Sequence, residues 1–301
     1  STISVTAVND APVGTSDGPL PVNEDSSLVV TAASLLANDT DGENDALSIT
    51  SVQSPVNGTV SLVAGTITFT PTAEYFGPAS FTYTVDDGNG GTDIVTVNVG
   101  VTSVNDITIL DLDTAVAGND HSTGYTEGGA PVAVVAASVS ITDIDDTNIE
   151  SATIVLTNGL VGDRLEVGTL PAGISAVISP PGSLTSAGTQ TVVLTGSSSL
   201  ANYQTALQLV TYQTTSPNPS GVDRDLQINV NDGDNNSATA NTVIAMTVVN
   251  DAPIAGDDGP FATNENTPIV LTHAALLAND SDGEGDPISI TSVQGEVNGS
   301  A

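Results

Sequence analysis

The sequence predicts an all-β protein built as a tandem array of β-sandwiches, and two observations carry this prediction. The tripeptide Val-Asn-Asp recurs at residues 8–10, 104–106 and 249–251 and divides the chain into intervals suited to small domains. Between these marks, apolar and polar residues alternate in short runs that Gly, Asn, Asp and Pro interrupt. Such runs are typical of short strands joined by tight turns, which is the pattern of a sandwich.

The charge of the chain restricts its partners. There are 36 acidic and 2 basic residues, for a formal net charge of −34, which excludes nucleic-acid phosphates and anionic membrane surfaces and favours a cation. Acidic chains are often disordered, but 39% of the residues are hydrophobic, which predicts folded domains. Cysteine is absent, so neither disulfides nor thiolate-bound metals stabilise the fold. No apolar run approaches the roughly 20 residues of a membrane helix, so we expect no membrane insertion.

The first elements follow from alternation and turn residues. Residues 1–8 alternate as one strand, which we interpret as the last strand of a preceding domain. Residues 9–104 form the first complete sandwich, with one helical turn within 31–37 and tight turns at Asn57-Gly58 and Ala64-Gly65. A hairpin loop is predicted over 87–91. The strands of this domain are predicted at 28–30 and near 47–53, 58–63, 66–71, 80–86 and 93–102.

The rest of the chain repeats this order of landmarks. Residues 105–249 form a larger sandwich whose extra length lies mainly at 157–222, where a short helix is predicted over 197–207. Residues 250–301 align without a gap with residues 9–60. We therefore interpret them as the first half of a third domain.

Several motifs carry a resemblance that covers the whole chain. They are the Val-Asn-Asp closings, the loops LLANDTDGEND and LLANDSDGEGD, the hairpin VDDGNGGTD, and VDRD at 222–225, which looks like the DRE motif of cadherins. In these motifs the sequence resembles the cadherin-like and immunoglobulin-like repeats of large bacterial surface adhesins and extracellular matrix proteins. The resemblance implies tandem Ig-like/cadherin-like Greek-key β-sandwiches. The cadherin linker has an acidic residue two positions before its Asn-Asp, where this chain has Ser103, so the number of ions per junction stays open.

Acidic residues recur where each domain meets a linker. In such a sandwich the loops at either end adjoin the incoming or outgoing linker. Asp223 and Asp225 flank Arg224 with strand alternation, so both carboxylates are expected on one side of the strand. The candidates are Asp10, Asp39, Asp41, Asp45, Asp86 and Asp87 at the incoming linker; Glu24, Asn105, Asp106, Asp143, Asp145 and Asp232 at the next; and Glu127, Asp223, Asp225, Asn250, Asp251, Asp280 and Asp282 at the last.

These residue types point to calcium. Carboxylates brought this close repel one another unless a multivalent cation lies among them, and Ca²⁺ takes 6–8 oxygen ligands. Any single Asp-Gly pair is explained as well by its tendency to form turns. The return of acids at corresponding points of every domain favours calcium at the junctions.

Two functional hypotheses follow, from different classes. The first is a structural extender of a bacterial cell-surface adhesin or extracellular filament, with calcium and the neighbouring repeats of the same chain as partners. It implies an extracellular location, on the bacterial surface or in secreted matrix. The alternative is a module that binds carbohydrate or protein through the 157–222 insertion, with cell-surface glycans or proteins as partners. An enzyme is not expected, because no nucleophile and base can be paired and His121 and His273 lack partners at metal-ligand spacing.

Overall fold

The computed structural model describes residue 3 and residues 8–294. The chain divides into two compact units, residues 1–106 and residues 107–301. Most of the strand predicted over residues 1–8 lies outside the described residues. As predicted, the protein is mostly β-structure.

Unit 1 is a two-sheet sandwich in its described part. One sheet has the order β1-β7-β6-β3 and the other β2-β5-β4. A single helical turn, α1 (Ala32–Leu35), continues into a 3₁₀ turn (Leu36–Asn38). The strands are β1 (Asp17–Asn23), β2 (Leu28–Thr31), β3 (Ser48–Val56), β4 (Gly58–Val63), β5 (Thr66–Pro71), β6 (Gly77–Asp86) and β7 (Thr92–Thr102).

The core of unit 1 follows directly from alternation. In β7 the valines at 95, 97, 99 and 101 are buried while the residues between them are more exposed, because successive side chains of a strand point to opposite faces. Phe69 and Phe81 stack in this core with ring centroids 5.8 Å apart. The turn residues Asn57 and Ala64 have φ of 59° and 48°, as expected where tight turns join strands.

Strand β1 was not predicted, because Gly18, Pro19 and Pro21 indicated a loop. It lies at the edge of its sheet and pairs in parallel with β7 alone. A proline is tolerated in an edge strand because one side of that strand has no partner strand, so the N–H that proline lacks is not needed for a hydrogen bond there.

Unit 2 contains the larger sandwich. Its main sheet has the order β14-β15-β12-β17-β18-β9, facing the smaller sheets β10-β16-β13 and β11-β8. The strands are β8 (Ile109–Asp111), β9 (His121–Thr126), β10 (Val132–Ala133), β11 (Ser140–Thr142), β12 (Asn148–Gly159), β13 (Asp163–Val167), β14 (Ser175–Ser179), β15 (Gly188–Ser199), β16 (Val210–Thr214), β17 (Arg224–Asn231) and β18 (Ala240–Thr247).

The segment predicted as an insertion is part of the core of unit 2. It supplies β13 to β16 and the helix α2 (Leu200–Gln208), close to the helix predicted over 197–207. Ser199 caps this helix by accepting a hydrogen bond from the Asn202 N–H at 3.3 Å. Tyr203, Ala206 and Leu207 of α2 are fully buried.

The segment that follows Asn250-Asp251 repeats the opening of unit 1. Ile254 and Ser281 form a bridge, as Val13 and Thr40 do in unit 1. The helical turn α3 (His273–Leu276) corresponds to α1. In the described part of this segment, residues 252–294, no strand joins a sheet. None of the helices in the described part of the chain has the length and apolar character that a bilayer span requires.

Candidate metal centres

The acidic loop at the start of unit 1 folds around one carboxylate. Asp41 Oδ1 accepts the backbone N–H groups of Glu43 at 2.9 Å and Asp45 at 3.0 Å. This turn leaves Asp41 Oδ2 buried and without a hydrogen-bond partner among the described residues. Carboxylate oxygens of Asp41, Glu43 and Asp45 lie within 4.8 Å of one another. The loop therefore gathers three negative charges, of which Glu43 was not predicted.

The structure brings the incoming linker to this end of unit 1. The Asn9 side chain donates to Asp87 Oδ2 at 2.8 Å, and the Asp10 N–H donates to Glu43 Oε2 at 3.3 Å. The Asn9 amide holds the pKa of Asp87 below its usual value, and the backbone N–H groups of Asn89 and Gly91 add to this against the effect of burial.

Asp39 and Asp86 have other partners. Asp39 accepts the Thr15 N–H at 2.8 Å through Oδ1 and the Tyr83 hydroxyl at 2.7 Å through Oδ2. Asp86 Oδ1 accepts the Gly88 N–H at 2.7 Å within the hairpin loop. Both oxygens of Asp39 are thus engaged inside the domain, apart from the three-carboxylate cluster.

Glu24 lies at the other end of unit 1 and is only 3% exposed. Its N–H donates to Thr102 O at 3.1 Å, and its Oε1 accepts the Val104 N–H at 2.8 Å. Its other oxygen, Oε2, is buried and has no hydrogen-bond partner among the described residues. Burial of an unpaired charged oxygen is costly, so this position favours a bound cation.

Two further carboxylates meet near Glu24. A hydrogen bond with the Asp106 carboxyl, and its charge, raise the pKa of Glu74 above its ordinary value. The charges of Asp25 and Glu24 add to this shift. The Asn105 side chain donates to Asp106 O at 2.9 Å. Glu74 was not among the predicted ligands, although it lies in the turn before β6.

The start of unit 2 has its own acidic cluster. Asp143 Oδ1 accepts the N–H groups of Asp145 at 3.2 Å and Asp146 at 2.9 Å. The buried Thr108 hydroxyl is shared between Asp143 Oδ2 at 2.7 Å and Asp232 Oδ2 at 3.3 Å. Oxygens of Asp143, Asp145 and Asp146 lie within 4.8 Å of one another. The predicted residues Asp143, Asp145 and Asp232 are therefore close together, and Asp146 joins them.

These carboxylates change one another's proton affinity. Burial and the charges of Asp143 and Asp145 raise the pKa of Asp146. The pKa of Asp143 is lowered, because hydrogen bonds from Thr108 and the backbone outweigh the effect of burial. The neighbouring charges thus raise the pKa of Asp146, whereas hydrogen bonds keep that of Asp143 low.

The linker Asn250-Asp251 has a further set of converging oxygens. Glu127 Oε2 accepts the Val249 N–H at 2.9 Å, while Oε1 is buried without a hydrogen-bond partner in the described part of the chain. The Asp251 N–H points to Glu284 Oε2 at 3.4 Å. Oxygens of Glu127, Asp251 and Glu284 lie within 4.8 Å of one another. The Asn250 side chain fixes the linker by donating to Asp251 O at 2.8 Å.

Asn218 lies beside this group. Its side-chain amide nitrogen donates to Glu284 Oε1 at 3.0 Å, to Asp251 Oδ2 at 3.2 Å and to Pro217 O at 2.9 Å. Because an amide nitrogen is a donor, Asn218 orients two of these carboxylates and is not itself a metal ligand. Neither Asn218 nor Glu284 was predicted.

Asp223 and Asp225, predicted at this linker, use one oxygen each elsewhere. Asp223 Oδ1 accepts the Met246 N–H at 3.1 Å, and Asp225 Oδ2 accepts the Asn158 amide at 2.9 Å. They lie outside the group of Glu127, Asp251 and Glu284. Arg224 between them is fully buried, so alternation does place it on the opposite face of β17.

The same contacts recur in the third segment. Asp280 Oδ1 accepts the Gly256 N–H at 2.8 Å, as Asp39 accepts that of Thr15. Asp282 Oδ1 accepts the N–H groups of Glu284 and Asp286 at 3.1 and 2.9 Å, as Asp41 does for Glu43 and Asp45. The alignment of residues 250–301 with 9–60 pairs Glu284 with Glu43. The recurrence of a glutamate at this loop position is the sequence signal that could have identified both residues as candidate ligands.

Comparison with protein families gives one match. Residues 8–102 and 249–301 match the family model described as the cadherin-like domain. No curated protein matches the sequence.

Solved structures match over most of the chain at low identity. Human CDH23 EC21-23 is 18% identical, with 83% of this chain and 73% of that chain covered and a TM-score of 0.35. Human mucin-like protocadherin EC1-2 is 14% identical, with coverages of 80% and 98% and a TM-score of 0.34. The endo-fucoidan hydrolase MfFcnA4 is 14% identical, with coverages of 79% and 29% and a TM-score of 0.25. At these TM-scores the likenesses carry no functional argument.

Proposed function

Residues 8–102 and 249–301 match the cadherin-like domain, and from this premise we propose that the chain is a structural extender of a bacterial cell-surface adhesin or extracellular filament. In this role its β-sandwiches are stiffened by calcium at the domain junctions. The function is mechanical and its location is extracellular, at the cell surface or in secreted matrix.

The observation that carries this proposal is the group formed by Glu127, Asp251 and Glu284. Their oxygens lie within 4.8 Å of one another, and one oxygen of Glu127 is buried without a hydrogen-bond partner in the described chain. A group made only of oxygen ligands, with no imidazole or thiolate, suits Ca²⁺.

The origin of these ligands explains how an ion stiffens the chain. Glu127 follows β9 at the end of the sandwich, Asp251 belongs to the linker, and Glu284 belongs to the acidic loop of the next segment. An ion bound to all three holds the linker between two loops. Bending then separates ligands from the ion, so the bound state resists bending.

Similar ligands recur at the other domain ends. Asp41, Glu43 and Asp45 form one such group, and Asp143, Asp145 and Asp146 form another. Near Glu24, the charges of Glu24 and Asp106 both act on Glu74. Of the residues predicted from sequence, Asp39 is a weaker candidate because both of its oxygens already accept hydrogen bonds within the domain. Asp86, Asp223 and Asp225 are weaker because they lie outside these groups.

A calcium titration of the full chain tests the proposal. Calcium is expected to raise the melting temperature and to increase the radius of gyration measured by small-angle X-ray scattering, with a Kd of about 10⁻⁴–10⁻³ M, as in extracellular modules. Identical melting curves and radii in calcium and in chelator would contradict it. Glu284→Gln should weaken binding, whereas Asp258→Asn, a change at an exposed residue of the same segment outside the group, should not.

A second candidate function is carbohydrate or protein binding by the middle domain. An open cleft of about 600 Å³ favours it, because Glu166, Gln208 and Thr211 supply polar groups beside the apolar Ile178 and Leu209. A glycan array probed with the full chain tests it, with Gln208→Ala as the variant that should lose any signal.

A further inference from the structure

Strand β14 forms an edge of the six-stranded sheet. It pairs with β15 through a continuous antiparallel register from Ser175 to Ser179. Among the described residues no strand pairs with its other side. A free edge presents unpaired N–H and C=O groups that accept a further strand.

This edge lacks the features by which proteins block strand addition, namely proline, charge and bulges. In unit 1 the edge strand β1 carries Pro19 and Pro21, and the edge strand β3 has two register shifts. By contrast, β14 has the sequence Ser-Ala-Val-Ile-Ser and no register shift. Its Val177 is 64% exposed. The edge is therefore open to pairing.

Charge favours this edge for contact between copies. Residues 167–222, which include β14, contain no Asp, Glu, Lys or Arg, although the chain has a net charge of −34. The next longest uncharged interval is 46–73. The nearby Arg164 and Glu166 form an ion pair at 2.8 Å. Two copies of the chain repel each other through most of their acidic surfaces, but not through the uncharged surface that contains β14.

We propose that β14 is a self-association edge, on which a second copy of this chain adds its own β14 in antiparallel orientation. A two-fold axis at Val177 places each Val177 opposite its copy and Ser175 opposite Ser179. The two six-stranded sheets then form one continuous sheet. This contact needs no calcium and joins neighbouring molecules side by side, which goes beyond the stiffening of a single chain.

Sedimentation velocity of the full chain tests the proposal. We expect reversible dimerisation between about 10 µM and about 1 mM, because a five-residue contact is smaller than a standard interface. It should be present in calcium and in chelator, and it should strengthen with added NaCl, which screens the net negative charge. A wild-type chain that stays monomeric throughout this range overturns the proposal.

Val177→Asp places two carboxylates opposite each other at the axis and should weaken dimerisation at least about tenfold, because like charges in directly opposed positions are destabilising. Val63→Asp is the matched control. Val63 is 70% exposed and pairs with Thr66 in β5, so the variant adds the same charge at an exposed valine that faces no carboxylate across the strand pair, and it should leave dimerisation unchanged. Equal dimerisation of Val177→Asp and wild type overturns the proposal.

Amide exchange locates the contact independently of the variants. Amides of residues 175–179 should become better protected as the concentration rises, and melting temperatures of both variants should stay near that of the wild type. Dimerisation that protects other segments and leaves residues 175–179 unchanged also overturns the proposal.

Discussion

At the scale of single residues, Glu24 is a buried carboxylate with only one oxygen hydrogen-bonded to the backbone in the described part of the chain. Its Oε1 holds the Val104 N–H at 2.8 Å, while Oε2 has no hydrogen-bond partner among the described residues. A glutamine preserves the shape and the contact to Val104 but removes the charge that a cation would need.

We therefore predict opposite effects of Glu24→Gln with and without calcium. In chelator the variant should be at least as stable as the wild type, because it removes a buried unpaired charge. In calcium it should lose about 1.4 kcal/mol of calcium-dependent stabilisation, which corresponds to about tenfold weaker binding. Thermal unfolding with and without calcium measures both effects. Asp25→Asn, at the exposed neighbouring position, removes a charge that also acts on Glu74 and should change each by less than Glu24→Gln does, and a calcium response of Glu24→Gln equal to the wild type refutes the assignment.

The two arginines of the chain differ in burial. Arg224 is fully buried, and its Nε lies 2.5 Å from Asp163 Oδ2. Asp163 Oδ1 also accepts the Tyr212 hydroxyl at 2.7 Å, and burial together with this contact raises the pKa of Tyr212. Arg164 instead pairs with Glu166 at the surface.

Arg224→Met should destabilise unit 2 by about 3–5 kcal/mol, because it leaves the Asp163 charge buried and unpaired. Arg164→Met should cost at most about 1 kcal/mol, because an exposed ion pair contributes little. Chemical denaturation of the two variants measures the difference. Similar losses for both variants would show that the Asp163 pair does not stabilise the core.

At the scale of secondary-structure elements, the turn from β3 to β4 depends on a close approach. A Cβ at Gly58 would lie 2.4 Å from Phe69 Cζ and 2.6 Å from Thr70 O. Phe69 is fully buried, so it has no free space into which to move. A Cβ at Gly100 in β7 would meet only Pro19 Cβ, at 4.0 Å.

Gly58→Ala should therefore destabilise unit 1 by about 1–3 kcal/mol, the usual cost of overpacking a core. Gly100→Ala should be tolerated, because the added methyl group finds space and alanine restricts the unfolded chain. Urea denaturation of both variants checks this. If Gly58→Ala is as stable as Gly100→Ala, the turn does not need glycine.

At the scale of the whole molecule, residues 252–294 expose apolar side chains that their counterparts in unit 1 bury against a core. Phe261 is 47% and Ile269 46% exposed. Their aligned partners Leu20 and Leu28 pack on the core of unit 1. Packing on a core is the main source of stability for short elements.

We predict that backbone amides of residues 252–294 exchange faster than those of residues 28–100. Hydrogen exchange of the full chain in chelator measures this without a contribution from calcium. Equal protection of the two segments would contradict the prediction and would show that the third segment is stable as it stands.

Local sequence signals predicted the strands, the turns and the repeats of this protein. The alternation of apolar and polar residues predicted the buried valines of β7. Asn57 and Ala64 predicted turns, and both have positive φ. The recurrence of Val-Asn-Asp predicted the repeats, and each of these signals can be read from residues that are close together in sequence. The same reasoning located the acidic loops at Asp41 and Asp143.

Tertiary structure decided which oxygens face one another. Asp39 turns to the Tyr83 hydroxyl and Asp225 to Asn158, whereas Glu284 approaches Asp251. These partners are distant in sequence, so no local pattern selects among them. The edge position of β14 was likewise decided only by the order of strands in the sheet. Strand formation depends on local alternation, but the direction of a carboxylate and the partner of a strand depend on what the rest of the fold places beside them.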